Sequence, residues 1–218
     1  EHVTLLGGKL GRLGSKRGAV PKLDPFTLAD LFIGLQRFAR VAGSVPLSRP
    51  WEAPNARDLD GMTFETWIRK NLRTKVGRAY FRVATEAVFS AETTNLSALH
   101  AAFYTHSGTD FDTLLSVDRG AQRDRIVGGA HLISERMAAE LGDAVLLESP
   151  VRLVEQDDRG VAATTRDGRR FEAERMIITL PPTLAGRLEY APVLPSWRDQ
   201  LTQRLPAGSV IKVYCVYD

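Results

Sequence analysis

The chain has 218 residues, 44% of them hydrophobic and 25% charged, with 29 Lys and Arg against 26 Asp and Glu. That composition excludes a disordered or collagen-like chain, and the length suffices for one large or two small domains with a buried core. A single cysteine, Cys215, excludes an internal disulfide framework, and no apolar stretch reaches the roughly 18–20 residues of a spanning helix.

Residues 1–23 are rich in Gly, Lys and Arg and read as a loop. Lys9, Arg12, Lys16, Arg17 and Lys22 crowd there against Glu1 and Asp24 alone, a patch of the kind that attracts nucleic acid or anionic lipid. No aromatic residue interleaves these charges to stack on a base, so a solvated loop and no nucleic-acid partner are expected. Leu5-Leu6 is too short for a signal core, and the first residue is Glu, so the expectation is a cytoplasmic protein cut out of something longer.

Asp24-Pro25 supplies a helix N-cap followed by proline at the first helical position. Leu28, Leu31, Phe32, Leu35, Phe38 and Ala42 then recur at helical spacing, which predicts a helix over 25–42 ending at Gly43. Pro46, Pro50 and Pro54 make the next stretch extended. Thr63 starts a short helix with Glu65 near its positive end and Phe64, Trp67 and Ile68 on one face. Val76, Tyr80, Val83, Ala84, Ala87 and Val88 mark another. Asn95 is the expected cap of a third, carrying Leu96, Leu99, Phe103 and His106, and residues 107–127 read as loop.

The texture then changes. Gly128-Gly129 leads into a helix through Leu132, Ile133, Met137 and Leu141, closed by Gly142. Strands are expected at Val145–Glu148 with Val151–Glu155, at Val161–Thr165 and at Phe171–Leu180, the last two joined by a hairpin at Asp167-Gly168. Pro181-Pro182 ends the final strand. A short helix over Pro195–Arg204 is followed by a strand over Ser209–Tyr217.

Several motifs fail on their own terms. Gly7-Gly8-Lys9-Leu10 lacks the Ser or Thr of a phosphate loop, and Gly8, Gly11 and Gly14 have the wrong spacing for a dinucleotide fingerprint. His100 and His106 are six residues apart, on different faces of a helix, so packed or surface histidines and no metal site are expected of His2, His100, His106 and His131. Cys215 reads as a buried apolar thiol.

One combination is longer than a motif. Residues Arg125 to Met137 (RIVGGAHLISERM), Leu147 to Val151 (LESPV), Ile177 to Leu184 (IITLPPTL) and Pro206 to Val213 (PAGSVIKV) resemble, in this order and spacing, successive stretches of the flavin-containing monoamine oxidase family. Upstream, Ser90-Ala91-Glu92-Thr93 followed by Leu96-Ser97-Ala98-Leu99 resembles it too. The resemblance covers roughly residues 50–218.

The resemblance implies a fold of class α+β with α/β character. The chain would hold the helical part of a substrate-binding domain (1–126), a β-meander and helix portion of an incomplete two-dinucleotide-binding FAD domain (127–207), and the first strand of the substrate-domain sheet (208–218). It implies FAD as cofactor in the full-length protein, a small-molecule amine as substrate, and the missing N- and C-terminal parts of the same chain as partners. The implied reaction is oxidative deamination, with hydride transfer to flavin N5 and reoxidation by oxygen to hydrogen peroxide.

Carried over by position, Lys212 would be catalytic, its family counterpart bonding through a water to flavin N5. Read from the residues alone, alternation sets Val210, Lys212, Tyr214 and Val216 on one face, and a lysine among valines is either an edge residue reaching solvent or a desolvated amine with a lowered pKa. Val151 would meet the adenine ring through its backbone, and Thr179 would lie near the dinucleotide. Both read equally as ordinary strand residues. Leu115 and Gln122 match the gate and amide of the substrate channel, although a leucine packing on its own domain fits equally. Ala87, Val88 and Tyr104 match further channel positions.

The glycine fingerprint that holds the pyrophosphate, the aromatic pair that flanks the amine, and any cysteine that tethers flavin do not occur in this stretch, so the isolated chain is expected to be inactive. The alternatives are a polyamine or L-amino-acid oxidase of the same fold, with Arg119 and Arg123 beside the channel segment for a carboxylate, or a non-catalytic binding module.

Overall fold

The computed structural model describes residues 2–6, 9–13, 23–116, 120–211 and 213–216. They divide into two compact units, one formed by residues 1–125 with 209–218 and the other by residues 126–208.

The first unit opens with an antiparallel pair, β1 (His2–Leu6) and β2 (Lys9–Leu13), in a stretch expected to be loop. The intervening Gly7-Gly8 lies outside the described residues, but Gly-Gly between two five-residue runs is itself a hairpin signal. Helix α1 (Pro25–Gly43) starts where the sequence places it, with Asp24 accepting from Thr27 N at 2.9 Å. A 3-10 turn at Pro50–Glu52 interrupts the stretch expected to be extended, and a short α2 (Ala56–Asp60) follows it. Helix α3 (Phe64–Asn71) is capped by Thr63 and α4 (Lys75–Phe89) by Thr74. Helix α5 (Ala98–Ser107) is capped by Ser97, not Asn95, because the Ser97 hydroxyl accepts from His100 N. Asp110 caps a further helix, α6 (Phe111–Leu115), within the expected loop.

These helices close on an aromatic core. The Phe38 ring lies 4.8 Å from Phe64, 5.1 Å from Trp67, 5.8 Å from Phe111 and 6.0 Å from Phe81. All five are buried, as are Ile68 and Leu72. Gly34 lets α1 approach Leu72 closely, since a Cβ there would sit 2.9 Å from Leu72 Cγ.

Two buried carboxylates fasten the helices. Asp30 on α1 accepts from Arg73 N, from Thr74 N at 2.8 Å and from the Thr74 hydroxyl at 2.7 Å. Burial alone would raise its pKa, but the Thr74 and Arg73 amides and the Thr74 hydroxyl together lower it. Glu65 on α3 accepts from Arg82 on α4, from Arg69, and from the Thr93 hydroxyl beyond α4.

The second unit begins with α7 (His131–Leu141), closed as expected by Gly142 at φ +54°. A four-stranded sheet follows in the order β5-β4-β3-β6, built from β3 (Val151–Asp157), β4 (Gly160–Thr165), β5 (Arg170–Ala173) and β6 (Glu189–Ala191). β3, β4 and β5 form an antiparallel meander, and β6 joins β3 in parallel. The Asp167-Gly168 turn is present, with Gly168 at φ +88°. Residues 145–148 form no strand, and the strand expected over 171–180 stops at Ala173. Pro181-Pro182 opens a short helix, α8 (Pro182–Ala185), and α9 spans Ser196–Arg204.

The strand expected over 209–217 is absent from the described residues of that stretch, 209–211 and 213–216. A strand exists only through its ladder, and Val210, Ile211, Val213, Tyr214 and Val216 are all exposed. For the same reason Cys215 is exposed, not the buried thiol its apolar neighbours suggest.

Candidate active site

The residues named for an amine channel lie in the first unit. Ala87 and Val88 occupy the last turn of α4, Ala87 exposed and Val88 half-buried. Tyr104 lies on α5, where its ring meets Phe89 at 4.9 Å, immediately after Val88. His100 joins this wall, 5.9 Å from Phe89 and 6.4 Å from Tyr104. Desolvation lowers its pKa and so favours the neutral imidazole, against the smaller, opposing charge of Asp60. Phe89 escaped the sequence reading, and His100, expected only as a packed or surface histidine, lies beside it.

Leu115 ends α6 and packs against the aromatic core, half-buried. The next residue, Ser116, is buried, and its carbonyl accepts from Gln122 N at 3.2 Å. Leu115 and Gln122 are therefore tied to one point of the chain, and the Gln122 side chain is exposed. Arg119 lies outside the described residues, whereas the Arg123 guanidinium donates to Asp124 at 2.9 Å. Lys212, the residue to which the family resemblance assigns catalysis, also lies outside the described residues. Three residues before it, the Ser209 N–H donates to the Ser90 carbonyl at 3.0 Å.

Val151 and Thr179 belong to the second unit. Val151 is half-buried at the start of β3, and β6 pairs with β3 only from Leu153 onward. Among the described residues the Val151 end of β3 thus lacks a strand on that edge. Thr179 is exposed in an irregular segment, two residues before the proline that caps α8. An open strand edge and one hydroxyl fit the adenine end of a dinucleotide. They do not fit its pyrophosphate, which calls for a glycine-rich turn at a helix N-terminus.

The other sequence candidates resolve simply. His106 Nδ1 lies 2.8 Å from the Val45 carbonyl, a satisfied packed histidine, and exposed His131 faces Glu135 at 3.6 Å. Among the described residues no helix is long and apolar enough to cross a membrane.

The first unit thus carries an aromatic wall on α4 and α5, and the second a meander with an open strand edge. The profile of flavin-containing amine oxidoreductases matches residues 11–218, and the chain belongs to that family. A flavin-containing monoamine oxidase of Mycobacterium tuberculosis is 36% identical over 207 residues, covering 95% of this chain and 45% of the relative. An L-amino acid dehydrogenase of Synechocystis is 35% identical over 208 residues, covering 94% of this chain and 42% of the relative. Cyclohexylamine oxidase from Brevibacterium oxydans superposes with a TM-score of 0.82 at 29% identity, over 92% of this chain and 44% of that enzyme. The chain thus spans under half the length of these relatives.

Proposed function

We propose that the whole protein is an FAD-dependent oxidase of small amines, and that residues 1–218 supply one wall of its substrate channel and part of its cofactor cradle. The observation that carries this reading is the family match across residues 11–218. When bound, FAD supplies the acceptor for the hydride that leaves the amine carbon. The remaining work falls to side chains of the protein. Lys212 Nζ would hold a water or relay a proton in that reaction. Leu115, Ala87, Val88 and Tyr104 line a mostly apolar path that favours the neutral, reactive form of the amine, and Gln122 adds a polar group that orients it. The backbone of Val151 and the hydroxyl of Thr179 hold the adenine end of the cofactor.

In this reading residues 1–125 with 209–218 are substrate domain, and residues 126–208 are a returning segment of the FAD domain. The second unit has a reason to need more chain, because among the described residues α7 buries none of its side chains. A cytoplasmic location accords with the same reading.

The test is direct. The full-length protein purifies yellow and releases hydrogen peroxide from a primary amine, and Lys212→Met lowers its rate of flavin reduction at least tenfold with FAD content unchanged. Residues 1–218 alone are colourless and inactive. A Lys212→Met enzyme as fast as wild type refutes the catalytic assignment, and a yellow, peroxide-forming fragment refutes the division of labour.

A second reading has one specific support. The Synechocystis relative at 35% identity carries the name of an L-amino acid dehydrogenase. An amino-acid substrate requires a cation for its carboxylate, and Arg123 is already engaged with Asp124. Turnover of L-amino acids in preference to simple amines, lost in Arg123→Ala, establishes this alternative.

A further inference from the structure

The segment after residue 208 re-enters the first unit at one backbone hydrogen bond, from Ser209 N–H to the Ser90 carbonyl. Ser90 is an unusual acceptor. It ends α4 in the left-handed region at φ +51°, a conformation that non-glycine residues adopt only where the surroundings impose it.

The surroundings are visible on both sides. Before it, Ser90 N–H donates to the Glu86 carbonyl, and the Phe89 ring packs at a tilt against Tyr104. Eight residues back, Arg82 pairs with buried Glu65. Three residues ahead, the Thr93 hydroxyl donates to the same Glu65, whose N–H returns to the Thr93 carbonyl at 2.9 Å. The chain on either side of Ser90 is thus stapled to one carboxylate, and the Ser90 carbonyl points where that staple sets it.

We propose that Ser90 is a positioning residue: its carbonyl pins the chain at Ser209, at the start of the segment that leads to Lys212. The inference rests on the catalytic assignment of Lys212 made above. Three extended residues reach only about 10 Å, so an anchor at Ser209 limits the reach of the segment that follows it. A group displaced by about 1 Å from its productive position loses on the order of a hundredfold in rate, which makes a single anchoring bond worth keeping in a strained conformation.

The experiment uses the full-length, flavin-loaded enzyme. Hydrogen exchange reads the pin itself. The Ser209 amide is protected in wild type and in Ser90→Gly, which adopts positive φ freely, and exchanges freely in Ser90→Val, which does not. A wild-type Ser209 amide that exchanges as an open loop does overturns the proposal.

Stopped-flow flavin reduction, with the primary amine that wild type oxidises fastest, reads the consequence. Ser209→Pro, which lacks the N–H, slows reduction about tenfold or more, whereas Ser209→Ala retains most of the rate. Added to Lys212→Met, Ser209→Pro costs nothing further, a coupling that a purely structural role does not produce. Equal losses in both backgrounds, or an undiminished Ser209→Pro rate, overturn the pin. If Ser209→Pro fails to fold, the Ser90→Val and Ser90→Gly pair makes the same comparison. An unchanged rate in Lys212→Met alone refutes the catalytic lysine instead, and leaves the exchange measurement as the test of the pin.

Discussion

Glu65 and Arg82 meet at two points: Arg82 Nε donates to Glu65 Oε2 at 2.9 Å and Arg82 Nη2 to Glu65 Oε1 at 2.5 Å. Arg82 is the main cause that holds the Glu65 pKa at about 2, against the opposing effect of burial, with Arg69 and Thr93 adding to it. A carboxylate depressed in the folded state stabilises fully above its unfolded pKa, and that stability drains away as pH falls through the folded value. The window therefore opens near pH 4.5 and closes near pH 2. Over it the first unit is expected to lose on the order of 3 kcal/mol. Urea midpoints followed by tryptophan fluorescence from pH 6 to pH 2 measure this loss, and Glu65→Gln removes most of the pH dependence and lowers the neutral-pH midpoint.

Asp30 invites a separate test because its partners are mostly backbone. Asp30→Ala strips acceptors from the Arg73 and Thr74 amides just where α4 begins. Thr74 still caps Gly77 N through its hydroxyl, so the helix start is weakened but not abolished. The expected cost is about 2 kcal/mol, read as a lower urea midpoint at neutral pH. Asp30→Asn recovers part of it, since the amide oxygen still accepts.

Neither carboxylate hub could be read in the sequence, and the reason is distance along the chain. Glu65 draws on groups 17 and 28 residues away, and Asp30 on groups 43 and 44 away, which no local pattern reports. Local chemistry was legible. Asp24-Pro25 marks the start of α1, Gly142 the end of α7, and Asp167-Gly168 the hairpin between β4 and β5. Short elements were lost, because α6 has five residues and offers no period to see. The exposed stretch at 213–216 shows the converse. β-branched and aromatic residues favour a strand, but a strand needs a neighbour to bond. For the site, the resemblance supplied roles for Leu115, Gln122 and Tyr104, and the fold supplied what lies between them. Ser116 ties the first two together, and Phe89 backs the third.

The small side chain at Ala87 leads to a prediction about substrate size. It is exposed on the last turn of α4, next to Val88 and the Phe89–Tyr104 wall. Ala87→Leu adds bulk to the proposed channel without touching the buried core. In the full-length enzyme, kcat/KM for an amine with a branched or ring substituent is expected to fall about 10- to 100-fold, while that for a small linear amine changes little. Parallel losses for both substrates place Ala87 outside the channel.

The last prediction concerns the apolar surface of the second unit. Val127 is 93% exposed, Ile177 87%, Val193 86% and Leu147 78%, in a unit that buries few large side chains among its described residues. Soluble proteins seldom leave so much apolar area open unless another surface covers it. If the rest of an FAD domain is that cover, these positions are interior in the full-length protein. Ile177→Asp then sets a charge against apolar neighbours and lowers the flavin content, measured by absorbance near 450 nm per mole of protein. Asp158→Asn, on an exposed turn between β3 and β4, changes one charge and leaves flavin content as it was. Residues 126–208 produced alone are expected to bind a hydrophobic dye strongly, and the full-length protein weakly. Equal dye binding by the two, with normal flavin content in Ile177→Asp, shows that this surface is open in the whole enzyme as well.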